Sequence, residues 1–183
     1  MGGHTVLVGL SGTGKTSVGR RIAASLGRPF VDADEEIEER TGRTVRGIFA
    51  ADGEAAFREL EANVMADLLA APVPSVIAAG GGAVVTDTTR KLLQQPHVFV
   101  VWLTAAPEFL ASRTSKKAHR PLLDGDPVAA LRRLADDRTA WYAEVADVSY
   151  DVQPAHVSAP KPEAKDNIAR TLAGIVRDHE EST

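Results

Sequence analysis

Short apolar runs alternate along the chain with amphipathic stretches of helical period. The runs are "TVLVG", "PFVDAD", "SVIAAG", "HVFVVWLT" and "VSYDV". This alternation predicts strands separated by helices, that is, βαβ units. The runs at Val6, Val76 and Val98 are apolar almost throughout, as expected for parallel strands covered on both faces. We therefore predict an α/β protein with three layers, α/β/α, forming a single domain over residues 1–183.

Three stretches interrupt the alternation. Residues from about 33 to 71 carry apolar side chains such as Phe57 at helical spacing and predict a helical, substrate-binding insertion. Residues from about 113 to 126 are polar, basic and broken by prolines and a glycine, which predicts a mobile lid. The Pro-rich stretch "QPAHVSAPKPEAKD" predicts a loop before the terminal helix, and we expect residues 179–183 to fray.

The stretch "VGLSGTGKTS" fits the pattern G-x-x-x-x-G-K-[ST] and stands between a predicted strand and a predicted helix. Glycines let backbone N–H groups surround a phosphate, and a helix beginning near Lys15 directs its positive dipole end at the same anion. Lys15 would bridge the terminal phosphates, and the Thr16 hydroxyl would bind Mg²⁺. The alternative is a Gly-rich turn with an exposed lysine, which the complete spacing disfavours. The pattern predicts nucleotide binding.

Two aspartates follow the second apolar run. In parallel sheets, ligands bind beyond the carboxyl ends of the strands. Period-two alternation would point Asp32 and Asp34 to the same face. Beside ATP and Mg²⁺, one carboxylate would order metal-bound water, and the other would orient or accept the proton of a nucleophilic hydroxyl. The alternative is an acidic strand end that caps the helix beginning at Glu35.

Three glycines, Gly80, Gly81 and Gly82, follow the third run. No apolar run ends in the aspartate of a Walker B strand, which disfavours a motor-type ATPase. Binding of Mg²⁺ is then expected at Thr16 and Asp32. Glycines let the backbone approach a small ligand closely, with N–H groups available to it. The alternative is a plain turn between a strand and a helix.

Three arginines are candidates for binding anions. Arg58 in "FRELE" and Arg138 in "DDRTAWY" stand on apolar-faced helices, and two such guanidinium forks would select a small carboxylate. Glu61, one turn from Arg58, would hold its guanidinium. Arg120 in "HRPLL" would bring positive charge to a transferring phosphoryl group. The alternatives are solvated or salt-bridged arginines. Tyr142, like both tryptophans, is expected to be a packing residue.

Composition narrows the classes of function. The chain has 183 residues, a net charge of −4 and no cysteine. Its basic residues are scattered, so a nucleic-acid partner is disfavoured, and thiolate catalysis and Cys-ligated zinc are excluded. No apolar run approaches the length that spans a bilayer, so we expect no membrane partner and a cytoplasmic protein. We also expect a monomer.

Six segments, in this order and spacing, resemble the shikimate kinase family over about residues 4–152. They are "GLSGTGKTS", "DADEEIE", "GIFAADGEAAFRELE", "GGGAV", "RPLL" and "DDRTAWY". The resemblance implies a nucleoside-monophosphate-kinase-like P-loop fold with five parallel strands in the order 2-3-1-4-5. It also implies transfer of the γ-phosphoryl group of ATP, with Mg²⁺, to the 3-hydroxyl of shikimate, on the route to chorismate and aromatic amino acids.

The resemblance also implies roles at the acceptor end. Asp34 would bind the ring hydroxyls and orient or deprotonate the nucleophile. Arg58 and Arg138 would hold the shikimate carboxylate, and the backbone of residues 80–82 would contact the ring.

At the nucleotide end, Lys15 and Arg120 would stabilise charge on the transferring phosphoryl group, and Thr16 with Asp32 would place Mg²⁺. The implied nucleotide-binding residues are Gly12, Thr13, Gly14, Lys15, Thr16, Ser17, Arg113, Arg120 and Gln153.

Two other functions are open on the residues alone. Two arginines and an aspartate would also suit a kinase acting on gluconate or another polyhydroxy acid. A catalytically silent relative would bind nucleotide or metabolite as a sensor, although nothing in the sequence supports a loss of catalysis. The identity of the acceptor separates the two kinases.

Overall fold

The computed structural model describes residues 3–114 and 125–182. The described residues form five strands, each followed by one or two α-helices. The strands are β1 (His4–Val8), β2 (Phe30–Asp32), β3 (Val76–Ala78), β4 (Val98–Thr104) and β5 (Val148–Asp151). The helices are α1 (Lys15–Leu26), α2 (Ala33–Thr41), α3 (Val45–Ala70), α4 (Asp87–Leu93), α5 (Pro107–Thr114), α6 (Pro127–Val145), α7 (Gln153–Ser158) and α8 (Lys161–Glu181), with a 3₁₀ turn at Ala83–Val85.

The strands form one parallel sheet in the order β2-β3-β1-β4-β5. In the centre, Val6 lies opposite Ile77 of β3 and Val100 of β4. All three side chains are fully buried, because helices cover both faces of the sheet. The predicted three-layer α/β fold and its strand order are confirmed.

Successive residues of β1 belong to different apolar cores on the two faces of the sheet. Val6 and Val8 pack with Met65 of α3 and Leu131 of α6, whereas Leu7 packs in the core that α1 and α8 share. This division follows from the period of two along a strand.

The predicted helical insertion has a small core of its own between α2 and α3. It contains Ile37, Val45, Ile48, Phe57 and Val64. Within α3 the backbone of Gly53 is not helical, with φ +83° and ψ 174°, a conformation that only glycine adopts without strain. The insertion therefore consists of two helical segments of α3 meeting at Gly53, packed on α2.

Two expectations for the carboxyl-terminal part differ from the structure. The stretch "QPAHV" is not a loop but forms α7, with proline in its first turn, where a missing N–H costs nothing. Residues 179–181 continue α8 and are not a frayed tail. His179 stacks on Phe99 with 4.3 Å between ring centroids, and Glu180 pairs with Arg28 at 2.7 Å. These contacts tie the last turn to the body of the domain.

Among the described residues, no helix combines the length and the apolar character that crossing a membrane requires.

A buried histidine at the amino-terminal edge of the sheet predicts a loss of stability in acid. His4 is 3% exposed and bonds the Ala71 carbonyl at 3.0 Å and the Ser75 side chain at 3.2 Å. Burial lowers its pKa from the ordinary 6.5; the Ala71 bond opposes this, whereas nearby His97 and Arg28 lower the pKa further. The folded state then binds fewer protons than the unfolded state, so the free energy of unfolding falls as pH drops below about 6.5.

We expect this acid-side slope of stability to be smaller in His4→Gln, measured by urea unfolding between about pH 7.5 and pH 5.5. An unchanged slope in His4→Gln would contradict the assignment.

Candidate active site

The loop between β1 and α1 is folded for an anion. Gly9, Gly12 and Gly14 have φ of +136°, +94° and +97°, conformations that favour glycine. A Cβ on Gly9 would also overlap the Leu103 carbonyl. The Lys15 ammonium turns back over the loop and donates to the Gly9 carbonyl at 2.6 Å and the Leu10 carbonyl at 3.1 Å. The helix dipole of α1 and this ammonium thus act at the same place.

The side chains that flank the loop are placed by short local bonds. The Thr13 hydroxyl donates to the Leu10 carbonyl at 2.9 Å, and the Ser17 hydroxyl donates to the Gly14 carbonyl at 3.2 Å. Thr13 is 1% exposed, so its side chain supports the loop from within. Contact with a ligand at Thr13 would come from the backbone.

Asp32 joins the second strand to the phosphate loop. Its Oδ2 accepts from the Thr16 hydroxyl at 2.6 Å, and its Oδ1 accepts from the N–H groups of Asp34 and Glu35. Asp32 is therefore the N-cap of α2. Our expectation that period-two alternation aligns the two aspartates is wrong, because β2 ends at Asp32 and Asp34 lies in the first turn of α2.

The two aspartates still meet in one place, since the turn from β2 into α2 brings Asp34 back over the sheet edge. Burial raises the pKa of Asp34, Asp32 raises it further, and Lys15 and Arg58 oppose this shift. A Cβ on Gly80 would lie 3.0 Å from Asp34 Oδ1. Asp34 is thus a carboxylate of increased basicity near two cations. It lies beside the first residue of the glycine segment, residues 80–82.

Arg58 is held in a buried ion pair. It is 7% exposed, and Glu61, the partner one turn along α3, is 1% exposed. Arg58 Nη1 donates to Glu61 Oε2 at 2.6 Å, while Nη2 and Nε donate to Glu54 Oε1 at 3.1 and 3.3 Å. Burial raises the pKa of Glu61, and Arg58 opposes this shift. Two glutamates therefore fix the direction of one guanidinium, as expected for Glu61.

The glycine segment packs directly on this pair. A Cβ on Gly80 would overlap Glu61 Oε1, and a Cβ on Gly82 would overlap the guanidinium of Arg58. Only glycine allows such an approach. Arg138, 6% exposed, reaches the same segment from α6, where its Nη1 donates to the Gly81 carbonyl at 2.9 Å. The two predicted arginines thus converge on residues 80–82.

One cleft of about 560 Å³ connects these groups. Its walls include Lys15, Thr16, Asp32, Asp34 and Gly81, together with the predicted nucleotide residues Gly12, Gly14, Ser17 and Arg113. Arg58 and Arg138 do not line this cleft; each is more than nine-tenths buried and contacts the glycine segment beside it. The cleft thus brings the phosphate loop together with the carboxylates of Asp32 and Asp34 and with Gly81.

Arg113 and Gln153, two of the implied nucleotide-binding residues, each bond to another part of the domain. Arg113 Nε donates to the Gly12 carbonyl at 3.1 Å, its guanidinium lies 5.2 Å from the Phe109 ring, and burial lowers its pKa. Gln153 Oε1 accepts from the Ala106 N–H at 3.4 Å, so this side chain joins α7 to the end of β4. A nucleotide contact at Gln153 stays a prediction. Arg120 and most of the predicted lid lie outside the described residues.

Sequence reasoning missed three residues here. Tyr142, expected only to pack, is 1% exposed and donates its hydroxyl to the Gly81 carbonyl; its position four residues after Arg138 was the available signal. Lys161 and Lys165 of α8 line the cleft, although they stand more than 140 residues from the phosphate loop in the sequence. No local pattern connects them to it.

Comparison with known proteins agrees with this geometry. The family model described as "Shikimate kinase" matches residues 11–172. The shikimate kinase of Caulobacter vibrioides (strain NA1000 / CB15N) is 54% identical over 140 residues, covering 76% of this chain and 69% of that protein. The shikimate kinase of Symbiobacterium thermophilum is 51% identical over 148 residues, covering 79% and 84%.

Solved structures extend the comparison. A shikimate kinase from Acinetobacter baumannii in complex with shikimate superposes with a TM-score of 0.87 at 34% identity, covering 98% of this chain and 95% of that one. A gluconokinase from Sinorhizobium meliloti, at 22% identity and a TM-score of 0.56, shares the fold alone.

A phosphate loop facing a basic carboxylate across the edge of a five-stranded parallel sheet defines a P-loop kinase, a phosphotransferase that uses ATP. The chain belongs to the shikimate kinase family. The resemblance found in the sequence is thereby confirmed.

The close approach of the glycine segment to Arg58 predicts that Gly82→Ala destabilises the fold. The added methyl group must displace a buried guanidinium from its pair with Glu61, and we expect a cost of about 1–3 kcal/mol in free energy of unfolding. Gly174→Ala is the control, because a Cβ there meets nothing within 4 Å and alanine favours the interior of α8. Urea unfolding measures both; equal stability of the two variants would refute the packing argument.

Proposed function

We propose that the chain transfers the γ-phosphoryl group of ATP to the 3-hydroxyl of shikimate, giving shikimate 3-phosphate and ADP. The observation that carries the proposal is that Lys15, Thr16, Asp34 and Gly81 line the same cleft. Membership in the shikimate kinase family supports it, as does the likeness to a solved shikimate kinase in complex with shikimate.

At the nucleotide end, backbone N–H groups of residues 9–15 and the amino terminus of α1 would bind the phosphates. The Lys15 ammonium, already directed at the loop carbonyls, would exchange these contacts for oxygens of the β- and γ-phosphates. Charge that develops on the transferring group would then be stabilised by a cation already in place.

Mg²⁺ fits the pair formed by Thr16 and Asp32. The Thr16 hydroxyl donates a hydrogen bond to Asp32, so the lone pairs of the Thr16 oxygen are left for a hard cation. Mg²⁺ commonly takes one or two protein oxygens together with water and substrate phosphates. Bound there, it would neutralise charge on the β- and γ-phosphates. Such a site needs no cluster of three metal-binding side chains, and residues 3–114 and 125–182 contain none.

At the acceptor end, Asp34 would orient the 3-hydroxyl and take its proton. As the hydroxyl oxygen forms its bond to the γ-phosphorus, the bond from that phosphorus to the β–γ bridging oxygen breaks and ADP leaves with the electron pair. The proton goes to the Asp34 carboxylate. Burial, which raises the pKa of Asp34, increases its basicity for this step.

Arg58 and Arg138 would hold the carboxylate of the substrate. Both guanidinium groups are buried and already directed by other bonds, so little side-chain entropy is lost on binding. The backbone of residues 80–82 would contact the ring, because the lack of side chains opens the segment to it. Charge at this end selects an anionic alcohol over a neutral one.

Other assignments stand as part of the proposal. Arg113 and Gln153 would contact the adenosine, and Arg120 would add charge to the transferring phosphoryl group. A cytoplasmic monomer remains an expectation, as does the division into a substrate-binding region at about 33–71 and a lid at about 113–126.

The deciding assay measures ADP release from MgATP with shikimate, with gluconate or without an acceptor. Release that depends on shikimate is expected. Release with gluconate instead would overturn the choice of acceptor but not the assignment of the phosphate-binding residues. Release with neither acid would overturn the proposed activity.

We expect Lys15→Ala to lower kcat by about 10²–10³-fold, by analogy with the removal of one preorganised donor from a developing anion. Lys91→Ala is the matched control, since Lys91 is an exposed lysine of α4 paired with Asp87, and its kcat should equal that of the wild type. Steady-state kinetics at saturating shikimate measure both variants. Full activity of Lys15→Ala would show that the ammonium does not act on the phosphates.

A further inference from the structure

Tyr142 occupies a place that packing alone does not explain. Its side chain is 1% exposed, and its hydroxyl donates to the Gly81 carbonyl. The same carbonyl accepts from Arg138 Nη1 at 2.9 Å. Both donors stand on α6, one turn apart. The carbonyl in the middle of the glycine segment is therefore held by two side chains of one helix.

The other two glycine carbonyls are held by the backbone. The Gly80 carbonyl accepts from the Ala83 N–H at 3.1 Å, and the Gly82 carbonyl accepts from the Val85 N–H at 2.9 Å. The 3₁₀ turn after the segment thus fixes its two ends, whereas Gly81 depends on α6. Because a peptide group is planar and trans, directing the Gly81 carbonyl at α6 turns the N–H of Gly82 away from α6.

The aromatic ring of Tyr142 is itself fixed. It stacks on Trp102 of β4 with 5.7 Å between centroids and 23° between planes, and Trp102 lies opposite Val8, the last residue of β1. Burial raises the pKa of Tyr142 to about 12, so the hydroxyl remains a donor at neutral pH. The hydroxyl therefore holds its position relative to the beginning of the phosphate loop.

We propose that Tyr142 is a positioning residue for the acceptor: through the Gly81 carbonyl it sets the peptide groups of residues 80–82 and the guanidinium of Arg138 in the orientation that binds the acid. Tyr142 touches neither substrate nor nucleotide in this role. The inference rests on the proposed function, and it adds Tyr142 to the residues that determine which acceptor binds.

Tyr142→Phe tests the inference by removing one oxygen atom. Arg138 still donates to the Gly81 carbonyl in this variant, so no buried carbonyl is left without a partner and the chain should fold. We expect the KM for shikimate to rise about 3- to 10-fold, in the range of one neutral hydrogen bond. The KM for MgATP should stay within about twofold, because the phosphate loop keeps its bonds.

Thr89→Val is the matched control. Thr89 is fully buried, and its hydroxyl accepts from Thr86 at 2.8 Å, so the substitution also removes a buried, hydrogen-bonded hydroxyl. It should lower the melting temperature without changing either KM. The shift in melting temperature that shikimate produces should shrink in Tyr142→Phe but not in Thr89→Val.

The wild type is assayed first, because absence of shikimate-dependent ADP release there would overturn the proposed function and not the role of Tyr142. With an active wild type, a selective rise in the KM for shikimate supports the inference. An unchanged KM for shikimate in Tyr142→Phe, or an equal rise in the KM values of both substrates, would overturn it.

Discussion

The buried ion pair of Arg58 and Glu61 is the interaction on which the acceptor end depends. The two groups are 7% and 1% exposed and 2.6 Å apart. Removing either partner would leave a buried charge without compensation, a far larger cost than the net value of the pair. The residues around the pair must therefore accommodate a planar guanidinium in a fixed orientation. Gly80 and Gly82 do so, because any Cβ at these positions would overlap one member of the pair.

The same constraint explains how two distant parts of the chain share one site. The insertion supplies Arg58 from α3, and α6 supplies Arg138 and Tyr142; both helices meet at the glycine segment after β3. This segment leaves the sheet at the same carboxyl edge as β1, which continues into the phosphate loop. A parallel sheet thus brings the two ends of the cleft together because all its strands end on one side.

Charges of both signs surround Asp34 at the centre of this arrangement. Burial raises the pKa of Asp34 and nearby Asp32 raises it further, whereas Lys15 and Arg58 lower it. Asp32 is occupied by the Thr16 hydroxyl and by two N–H groups of α2. The two carboxylates therefore have different partners. These partners support the proposed division of roles, with Asp32 beside the metal and Asp34 accepting the proton.

Features whose geometry is local are predictable from the residues alone. The phosphate loop is predictable because its glycines, lysine and threonine lie within a few residues of one another, and the central strands β1, β3 and β4 are predictable because burial on both faces makes them almost continuously apolar. The prediction for Asp34 is wrong because Asp32 is the N-cap of α2. The strand β2 therefore ends at Asp32, and its alternation of side chains does not reach Asp34. In α7, the proline that suggested a loop stands in the first turn of a short helix. Only the tertiary structure decided that Tyr142 meets Gly81, that Arg138 meets the same carbonyl and that α8 lines the cleft. Those contacts join residues far apart in the chain, and helical spacing shows which side chains share a face but not what that face touches.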